Sequence, residues 1–328
     1  MTGGTDEPPT VAVLAGGVGA ARLLRAMLRV VPGDRVTAVV NTADDTVLHG
    51  LHVSPDIDTV VYTCAGAIDP DRGWGLVGET WHALGALERY ARVRPDGSTA
   101  ATTWFGLGDR DLATHLYRTA RLSEGATLTE VTAEITAAWE LDLRGPPATD
   151  QVIRTRIDTI EHGTVEFQEF FVRLRHAVPV AGVRFDHDGA RPTDAVRRAL
   201  TDADVVVIAP SNPLVSIGPI RALTGIDDLL AARRASVVAV SPIVGGAALK
   251  GPADRMLVEL GHRASADGVA ELYRDIAGTI VIDAVDADTA ARIEALGLRA
   301  VVTDTVMSDP EVAANLATTV IRAGAATP

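Results

Sequence analysis

Residues 11–19 read Val-Ala-Val-Leu-Ala-Gly-Gly-Val-Gly, an apolar run that ends in glycines. A short apolar run bounded by glycine is typical of a buried strand. The amphipathic stretch that follows, from Ala20 to Val30, predicts a helix that Pro32 and Gly33 end. A strand, a glycine turn and a helix in this order begin a βαβ unit. Backbone N–H groups at the N-terminus of such a helix attract phosphate.

The same alternation of short β-branched runs and longer amphipathic stretches continues along the chain. It predicts an α/β protein with a Rossmann-like, mostly parallel sheet flanked by helices. The predicted strands are Val11–Ala15, Thr37–Asn41, Val205–Ala209, Val237–Ser241, Thr279–Ile282 and Arg299–Thr303. The later predicted helices are Glu79–Val93, Asp109–Leu122, Thr127–Trp139, Thr193–Ala203, Pro219–Ala232, Ala266–Ile276, Ala287–Ala295 and Asp309–Ala323.

The middle of the chain has a different pattern. Two β-prone arms, Gln151–Ile160 and Thr164–Leu174, flank His162-Gly163 and predict an antiparallel hairpin. We therefore expect a Rossmann-like domain made of residues 1–148 and 200–328, with an inserted hairpin-containing subdomain at 149–199. An insertion of this kind is a candidate for a substrate-facing flap or an interface between subunits.

Composition narrows the class of partners. The net charge of −13 and the pI near 5.0 argue against non-specific binding of nucleic acid or of an anionic membrane surface. The single cysteine, Cys64, excludes an internal disulfide and is consistent with a reducing compartment. The first ten residues lack the basic and apolar regions of a signal peptide, and no apolar run is long enough for a membrane span. We expect a cytoplasmic protein with small-molecule partners, without nucleic acid or membrane.

Four aspartates lie within fifteen positions after the second predicted strand, at Asp44, Asp45, Asp56 and Asp58. Facing one another, these carboxylates would repel, and a divalent cation with a preference for hard oxygen ligands, such as Mg²⁺, would remove that repulsion. If the second pair is extended, its i, i+2 spacing places both carboxylates on one side. The alternative is a set of solvated loop acids that cap helices and turns. A phosphate site beside a metal site indicates phosphoryl-type transfer.

The glycine turn fits a dinucleotide fingerprint only in part. Arg22 stands where the third glycine belongs, and Asn41 stands where an acidic residue would bind a ribose. This weakens a nicotinamide interpretation, whereas Arg22 in the first helical turns favours an anion. Lys250, the only lysine in the chain, lies in a glycine-rich context that suits phosphate contact, although a compositional bias towards arginine also explains its isolation.

Two further segments combine aromatic, glycine and polar residues. The segment Trp104–His115 contains Gly108 and Asp109 and would suit a flat ring, although Asp109 also fits a helix N-cap. Trp74 lies in a similar turn, Asp71-Arg-Gly-Trp-Gly75. The loop Ala209–Ile220 follows a predicted strand and offers hydroxyl and N–H groups for a second phosphate, with an ordinary Asn-Pro turn as the alternative.

As an ordered set, these stretches resemble the 2-phospho-L-lactate transferase family (CofD and FbiA) of coenzyme F-420 biosynthesis. The stretches that carry the resemblance are Gly16–Gly19, Asn41–Asp45, Ser54–Thr59, Trp104–His115, Phe167–Glu169, Ala209–Ile220 and Ser241–Gly251. They run through nearly the whole chain.

The resemblance implies an Mg²⁺-dependent transferase, usually a homodimer. The donor is a guanosine diphosphate ester of a three-carbon acid, of the phospholactyl or phosphoenolpyruvyl type. The acceptor is the terminal ribityl hydroxyl of the deazaflavin Fo, and GMP is released. We assign Asp44, Asp58 and Asp45 to catalysis, and the same three with Asp56 to the metal. The expected binding residues are Gly16, Gly17, Gly19, Ser211, Asn212 and Ser216 for the nucleotide side and Trp74, Trp104, Gly108, Asp109 and His115 for the deazaflavin side, with Asn41 as a further binding residue.

Two alternatives belong to other classes. One is a nucleotide-sugar-binding regulatory protein of the related gluconeogenesis-factor group, against which the segments Asp56-Ile57-Asp58 and Trp104–His115 argue. The other is an NAD-dependent oxidoreductase, which Arg22 and Asn41 already weaken.

Overall fold

The central element is a parallel sheet of six strands, seen in a computed structural model that describes residues 7–325. The strands of the structure are β1 (Val11–Ala15), β2 (Val36–Val40), β3 (Thr46–Leu48), β4 (Leu51–Val53), β5 (Arg154–Thr159), β6 (Gly163–Glu166), β7 (Val180–Asp186), β8 (Val205–Ile208), β9 (Val237–Val240), β10 (Ile243–Val244), β11 (Ala247–Ala248), β12 (Thr279–Asp283) and β13 (Arg299–Thr303). The helices are α1 (Gly17–Met27), α2 (Pro55–Cys64), α3 (His82–Ala91), α4 (Asp111–Ser123), α5 (Leu128–Ala138), α6 (Asp194–Asp202), α7 (Gly218–Ala222), α8 (Ile226–Ala232), α9 (Ala253–Glu259), α10 (Ala266–Tyr273), α11 (Ala290–Ala295) and α12 (Pro310–Ala325).

The strand order of the sheet is β13-β12-β9-β8-β1-β2, and every neighbouring pair is parallel. The chain leaves β1 towards β2 on one side and later returns to β8 on the other side. The order therefore reverses between β1 and β8, and in open parallel sheets ligands bind at such a reversal, outside the carboxyl ends of the strands. The Rossmann-like architecture predicted from the sequence is confirmed.

Helices cover both faces of the sheet, as a parallel sheet requires. Val11 and Val13 of β1 point into a core shared with α1, α2, α5 and α12, whereas Ala12 and Leu14 point into a core shared with α6, α8 and α10. All residues of β1 are buried, which explains why it reads as a continuous apolar run rather than as an alternating one.

The six strands predicted for the parallel sheet are all present, but one helix near the aspartates was missed. Residues 55–64 form α2, whereas the sequence suggested a loop or an extended segment there. Pro55 at the first helical position and the apolar spacing of Ile57, Val60 and Val61 are the signals of this helix. The predicted helix Pro219–Ala232 is also broken, because Gly225 adopts a φ of +86° between α7 and α8.

The predicted hairpin is confirmed in its first part, where β5 pairs with β6 in antiparallel register. Its second arm is wrong beyond Glu166, because residues 169–173 form a short π-helix, and β7 completes a three-stranded sheet instead. The helical turn buries Phe170 in a small core with Ile157 and Val180. The division of the chain into domains at residues 148 and 199 stays a prediction.

Across residues 7–325, no helix combines the length and the apolar character needed to cross a membrane.

The close packing of α1 against the loop after β8 predicts that two glycine-to-alanine substitutions in helices change the free energy of unfolding in opposite directions. A Cβ at Gly19 of α1 would lie 2.3 Å from the carbonyl oxygen of Pro210, whereas a Cβ at Gly85 of α3 meets nothing within 4 Å. We expect Gly19→Ala to lower the free energy of unfolding by about 1–3 kcal/mol through overpacking. Gly85→Ala, the control, should raise it by about 0.5–1 kcal/mol, because alanine favours helix. Urea denaturation of both variants tests this, and equal stability would contradict the close approach.

Candidate active site

A cavity of about 820 Å³ opens at the carboxyl ends of β1, β8 and β9. The turn after β1 and the loop after β8 form its floor, and the segments after β6, β11 and β13 form its walls. The residues predicted from the sequence that line it are Gly16, Gly17, Gly19, Asp44, Asp56, Asp58, Trp74, His115, Ser211 and Asn212. Those that do not reach its wall are Asn41, Asp45, Trp104, Gly108, Asp109 and Ser216.

The glycine turn is built for close backbone approaches. Gly17 has a φ of +72°, and a Cβ on it would meet nothing within 4 Å, so this glycine faces open space at the cavity. Gly16 instead packs against Ser216, whose Cβ would lie 2.8 Å from a Cβ at Gly16. Ser216 therefore supports the turn from behind and leaves the cavity to Gly17.

The N–H group of Gly17 donates to Asp56 Oδ1 at 2.9 Å, so a carboxylate already occupies part of the anion site at the start of α1. The next N–H groups, of Val18 and Gly19, lie in the first helical turn, where α-helices have no internal partner for them. Both residues line the cavity, and with Arg22 they make this corner a site for anionic oxygen.

Asn41 links two buried carboxylates at the cavity floor. Its Nδ2 donates to Asp44 Oδ2 at 3.1 Å and to Asp56 Oδ2 at 3.0 Å. Its Oδ1 accepts from the Ala43 N–H at 3.0 Å, which fixes the amide with its donor side towards the carboxylates. One neutral amide thus holds two acids together that would otherwise repel each other.

The charges of these carboxylates are poorly compensated. Burial, and then the neighbouring Asp56, raises the pKa of Asp44 well above its ordinary value. Burial also raises the pKa of Asp56 to about 6. Asp44 Oδ1 is buried and has no hydrogen-bond partner among residues 7–325. An acceptor-only oxygen in such a place fits a bound cation, which would return both carboxylates to their ionised form.

Asp45, next along the chain, does not line the cavity. Its Oδ2 accepts from Ser54 Oγ at 2.7 Å, and burial raises its pKa to about 8. Asp45 therefore contacts the residue that precedes α2 and does not contribute to the cavity wall.

Asp56 and Asp58 diverge because they lie on a helix and not on an extended segment. Two positions along a helix turn the side chain by about 200°, so Asp58 points towards α4. There the fully buried Arg118 donates from Nη1 to Asp58 Oδ2 at 3.2 Å and from Nη2 to Oδ1. A buried ion pair needs such a bidentate geometry to offset the loss of solvation.

His115 and Asp111 of α4 extend this cluster. His115 Nε2 lies 3.4 Å from Asp111 Oδ2, and its Nδ1 lies 3.8 Å from Asp58 Oδ2. Tyr62 donates to Asp111 Oδ1 at 2.8 Å. One ligand atom from each of Asp58, Asp111 and His115 lies within 4.8 Å of the others, a spacing that is compatible with a metal ion. Arg118 and Tyr62 were missed, although the i, i+4, i+7 spacing of Asp111, His115 and Arg118 marks one helix face.

Aromatic side chains form the opposite wall of the cavity. Phe167 and Phe171 stack with centroids 5.4 Å apart, and Trp74 is 43% exposed. Between them the Gln168 side chain donates to the Asp44 carbonyl oxygen at 3.0 Å, which ties the inserted segment to the cavity floor. The hairpin predicted as a flap does reach the cavity, through the helical turn that follows β6.

The segment Trp104–His115 divides into two parts. Gly108 cannot face the cavity, because a Cβ there would lie 2.2 Å from the carboxyl carbon of Glu79. Asp109 accepts from the N–H groups of His82 and Ala83 at 2.9 and 3.0 Å, so it caps α3 rather than its own helix. Trp104 packs edge-on against Phe105, which does line the cavity.

The loop after β8 is held by its own polar groups. Ser211 Oγ donates to the Gly16 carbonyl oxygen at 2.7 Å, joining this loop to the glycine turn. Asn212 Oδ1 accepts from the Leu214 N–H at 2.9 Å. Both residues line the cavity beside Gly17, as the topology of the sheet requires.

Among curated proteins, relatives called phosphoenolpyruvate transferase match over almost the full length of the chain. That of Kitasatospora aureofaciens is 41% identical, covering 95% of this chain and 96% of the relative. The Streptomyces coelicolor protein is 40% identical over 94% and 95%, and the Mycobacterium avium protein is 38% identical over 97% and 99%.

Two solved structures of a Bacillus halodurans protein, one described as a member of the UPF0052 family, share the fold. Their TM-scores are 0.62 and 0.60 at 16% and 15% identity, and they cover 96% and 97% of this chain and 100% of their own.

The family model described as 2-phospho-L-lactate transferase CofD matches residues 11–323, which include every part of the cavity described above. With this match and relatives near 40% identity, the chain belongs to the CofD family of transferases.

Proposed function

We propose that this protein transfers a phospho-three-carbon-acid group from a guanosine diphosphate donor to the terminal ribityl hydroxyl of the deazaflavin Fo, with release of GMP. The observation that carries the proposal is the Asn41-linked pair of buried carboxylates, Asp44 and Asp56, directly beneath a glycine turn at the reversal point of the sheet. The names of the relatives favour phosphoenolpyruvyl over phospholactyl as the transferred group.

The size and lining of the cavity support two substrates. A cavity of about 820 Å³ lies in the upper part of the range for small-molecule sites, which is roughly 300–1,000 Å³. Acidic, glycine-rich lining at one side suits a metal-bound diphosphate, and aromatic lining at the other suits a flat tricyclic ring. Both kinds of group are needed to bring a hydroxyl in line with a phosphorus atom.

Asp44 and Asp56 are the best-supported ligands for Mg²⁺, because both line the cavity, both have raised pKa values, and Asp44 has a buried oxygen without a partner among residues 7–325. Asp45 shares the raised pKa and the buried oxygen without a partner but does not line the cavity. Asp58 is a third carboxylate on the wall, and Arg118 keeps it oriented. When bound, the cation would neutralise the charge that develops on the transferring phosphoryl oxygens.

The other residues bind and orient the donor. The N–H groups of Val18 and Gly19 and the guanidinium of Arg22 hold phosphate oxygens, and the open space beside Gly17 lets them approach. Trp74 and Phe171 stack on the acceptor ring and exclude water from it.

Transfer makes one bond and breaks one. The acceptor hydroxyl oxygen forms a bond with the phosphorus that carries the three-carbon acid. The bond between this phosphorus and the bridging oxygen breaks, and its electron pair leaves with GMP. The hydroxyl proton passes to one of the carboxylates on the cavity wall, which are Asp44, Asp56, Asp58 and Asp111.

The direct test offers purified protein Fo, Mg²⁺ and three guanylated donors, which carry phosphoenolpyruvate, phospholactate or phosphoglycerate, with mass spectrometry of the products. We expect one donor to be converted with stoichiometric formation of GMP and a phosphodiester of Fo. Binding of nucleotide sugars, without consumption of any guanylated donor, would contradict the proposed function.

The metal assignment predicts loss of turnover on substitution of Asp44. Asp44→Asn removes a charge from the proposed ligand set and keeps the side-chain shape. Because the cation stabilises the transition state, we expect transfer to fall at least about 100-fold at saturating substrates, with a Tm close to that of the wild type. Asp228→Asn, an exposed acid on α8, is the matched control. Equal turnover in both variants at low Mg²⁺ would contradict the assignment.

The raised pKa values predict a pH-dependent effect of Mg²⁺ on stability. Because the pKa of Asp56 is about 6 in the folded protein and 3.8 ordinarily, its burial makes the metal-free protein lose stability as pH rises from about 4 to about 6. Mg²⁺ binds the ionised carboxylates and restores that stability. The increase in Tm on adding Mg²⁺ should therefore be larger at pH 8 than at pH 5.5. An increase that is the same at both pH values, or that persists in Asp56→Asn, would contradict this account.

A further inference from the structure

Lys250 is the only lysine of the chain, and it lines the cavity on a different segment from the glycine turn. It follows the small hairpin formed by β10 and β11, and its side chain is exposed. The turn of this hairpin is anchored, because the Gly245 N–H donates to both carboxylate oxygens of Asp286 at 3.0 and 3.2 Å. The lysine therefore follows a hairpin whose turn is anchored, while its own side chain is exposed.

A second loop meets the lysine across the cavity. A Cβ at Gly73 would lie 2.8 Å from Lys250 Nζ, and Gly73 has a φ of +74°. The ammonium group therefore lies against the bare backbone of the turn that also carries Trp74. The absence of a side chain at position 73 leaves room for the ammonium group in this position.

The other cationic side chains of the cavity have different surroundings. Arg72 is paired with Asp69 at 2.8 Å and donates to the Leu76 carbonyl oxygen at 3.0 Å. Arg22 lies on α1 next to the phosphate corner. Within residues 7–325, Lys250 has no carboxylate at ion-pair distance. It is a cationic side chain at the cavity that no carboxylate of the described residues neutralises.

We propose that Lys250 binds the carboxylate of the three-carbon acid in the donor, and so selects a donor that carries an acid. This inference rests on the proposed function. The donor has three anionic groups, namely two phosphates and one carboxylate. The glycine turn, Arg22 and the metal-binding aspartates account for the phosphates. The carboxylate then needs a further cation, and Lys250 supplies it beside the turn that carries Gly73 and Trp74.

The first experiment compares the donor with GDP, which differs from it in the three-carbon acid and in the free oxygen on the terminal phosphate. GDP has both phosphates of the donor but lacks the three-carbon group. For Lys250→Met we expect the KM for the guanylated donor to rise about tenfold, whereas the Kd for GDP and the KM for Fo stay within about twofold of the wild type. Lys250→Arg should recover most of the donor affinity because it keeps the charge. Arg197→Met removes an exposed cation on α6, outside the cavity, and is the control.

The outcomes separate this inference from the proposed function. Equal loss of GDP and donor affinity would place the ammonium on the diphosphate and overturn the inference, and so would an unchanged donor KM. In both cases the wild type would still catalyse transfer, so the proposed function would stand. A wild type that consumes no guanylated donor would contradict the proposed function itself.

A second measurement uses the single lysine as a probe. Reductive methylation with ¹³C-formaldehyde labels Lys250 and the α-amino group and preserves their positive charge. We expect the guanylated donor to shift the Lys250 methyl signal in the NMR spectrum, and GDP to leave it unchanged. The signal of the α-amino group is the internal control. A shift of the same size with GDP and with the donor would overturn the inference.

Discussion

The hydrogen bonds of the Asn41 amide hold the candidate site together. Its Nδ2 reaches Asp44 after β2 and Asp56 on α2, and Asp56 in turn accepts from Gly17 at the start of α1. Three segments that are distant in sequence are thereby fixed at one edge of the sheet. The arrangement keeps two like charges buried a few ångströms apart, which is costly without a cation. The geometry of the cavity floor therefore depends on a network that a bound metal would complete.

A second buried network, around Asp58, differs from the first because it contains its own cationic side chain. Arg118 neutralises Asp58 within the protein, so that carboxylate has a built-in cation, whereas Asp44 has none. Residues of α4 supply Arg118, His115 and Asp111, and α4 is joined to α3 through Glu79 and Asp109. Neighbouring aspartates thus differ in whether the protein itself compensates their charge. Asp44, Asp56 and Asp58 all line the cavity, but only Asp58 is paired with an arginine, Arg118 of α4.

Much of the fold could be predicted from the sequence, because buried parallel strands read as short apolar runs and the glycine turn marks the first crossover. The prediction failed where tertiary contacts, and not the local sequence pattern, determine the secondary structure. The arm after Glu166 turns helical and buries Phe170 in the small core of the insertion. Helix α2 was missed because Asp56 and Asp58 in its first turn were interpreted as loop or extended metal ligands. Six predicted site residues do not reach the cavity wall, and Gly108 shows the cause. Its missing side chain makes room for Glu79 and not for a ring, and sequence alone does not distinguish these two uses of glycine.

The central claim is that Asp44 and Asp56 form a cation site beneath the glycine turn. Its most direct test is anomalous diffraction from crystals of the wild-type protein grown with Mn²⁺ and GDP. The account predicts an anomalous peak within coordination distance of Asp44 and Asp56, next to phosphate oxygens at Gly17. A peak enclosed instead by Asp58, Asp111 and His115, with none beside Asp44, would contradict it.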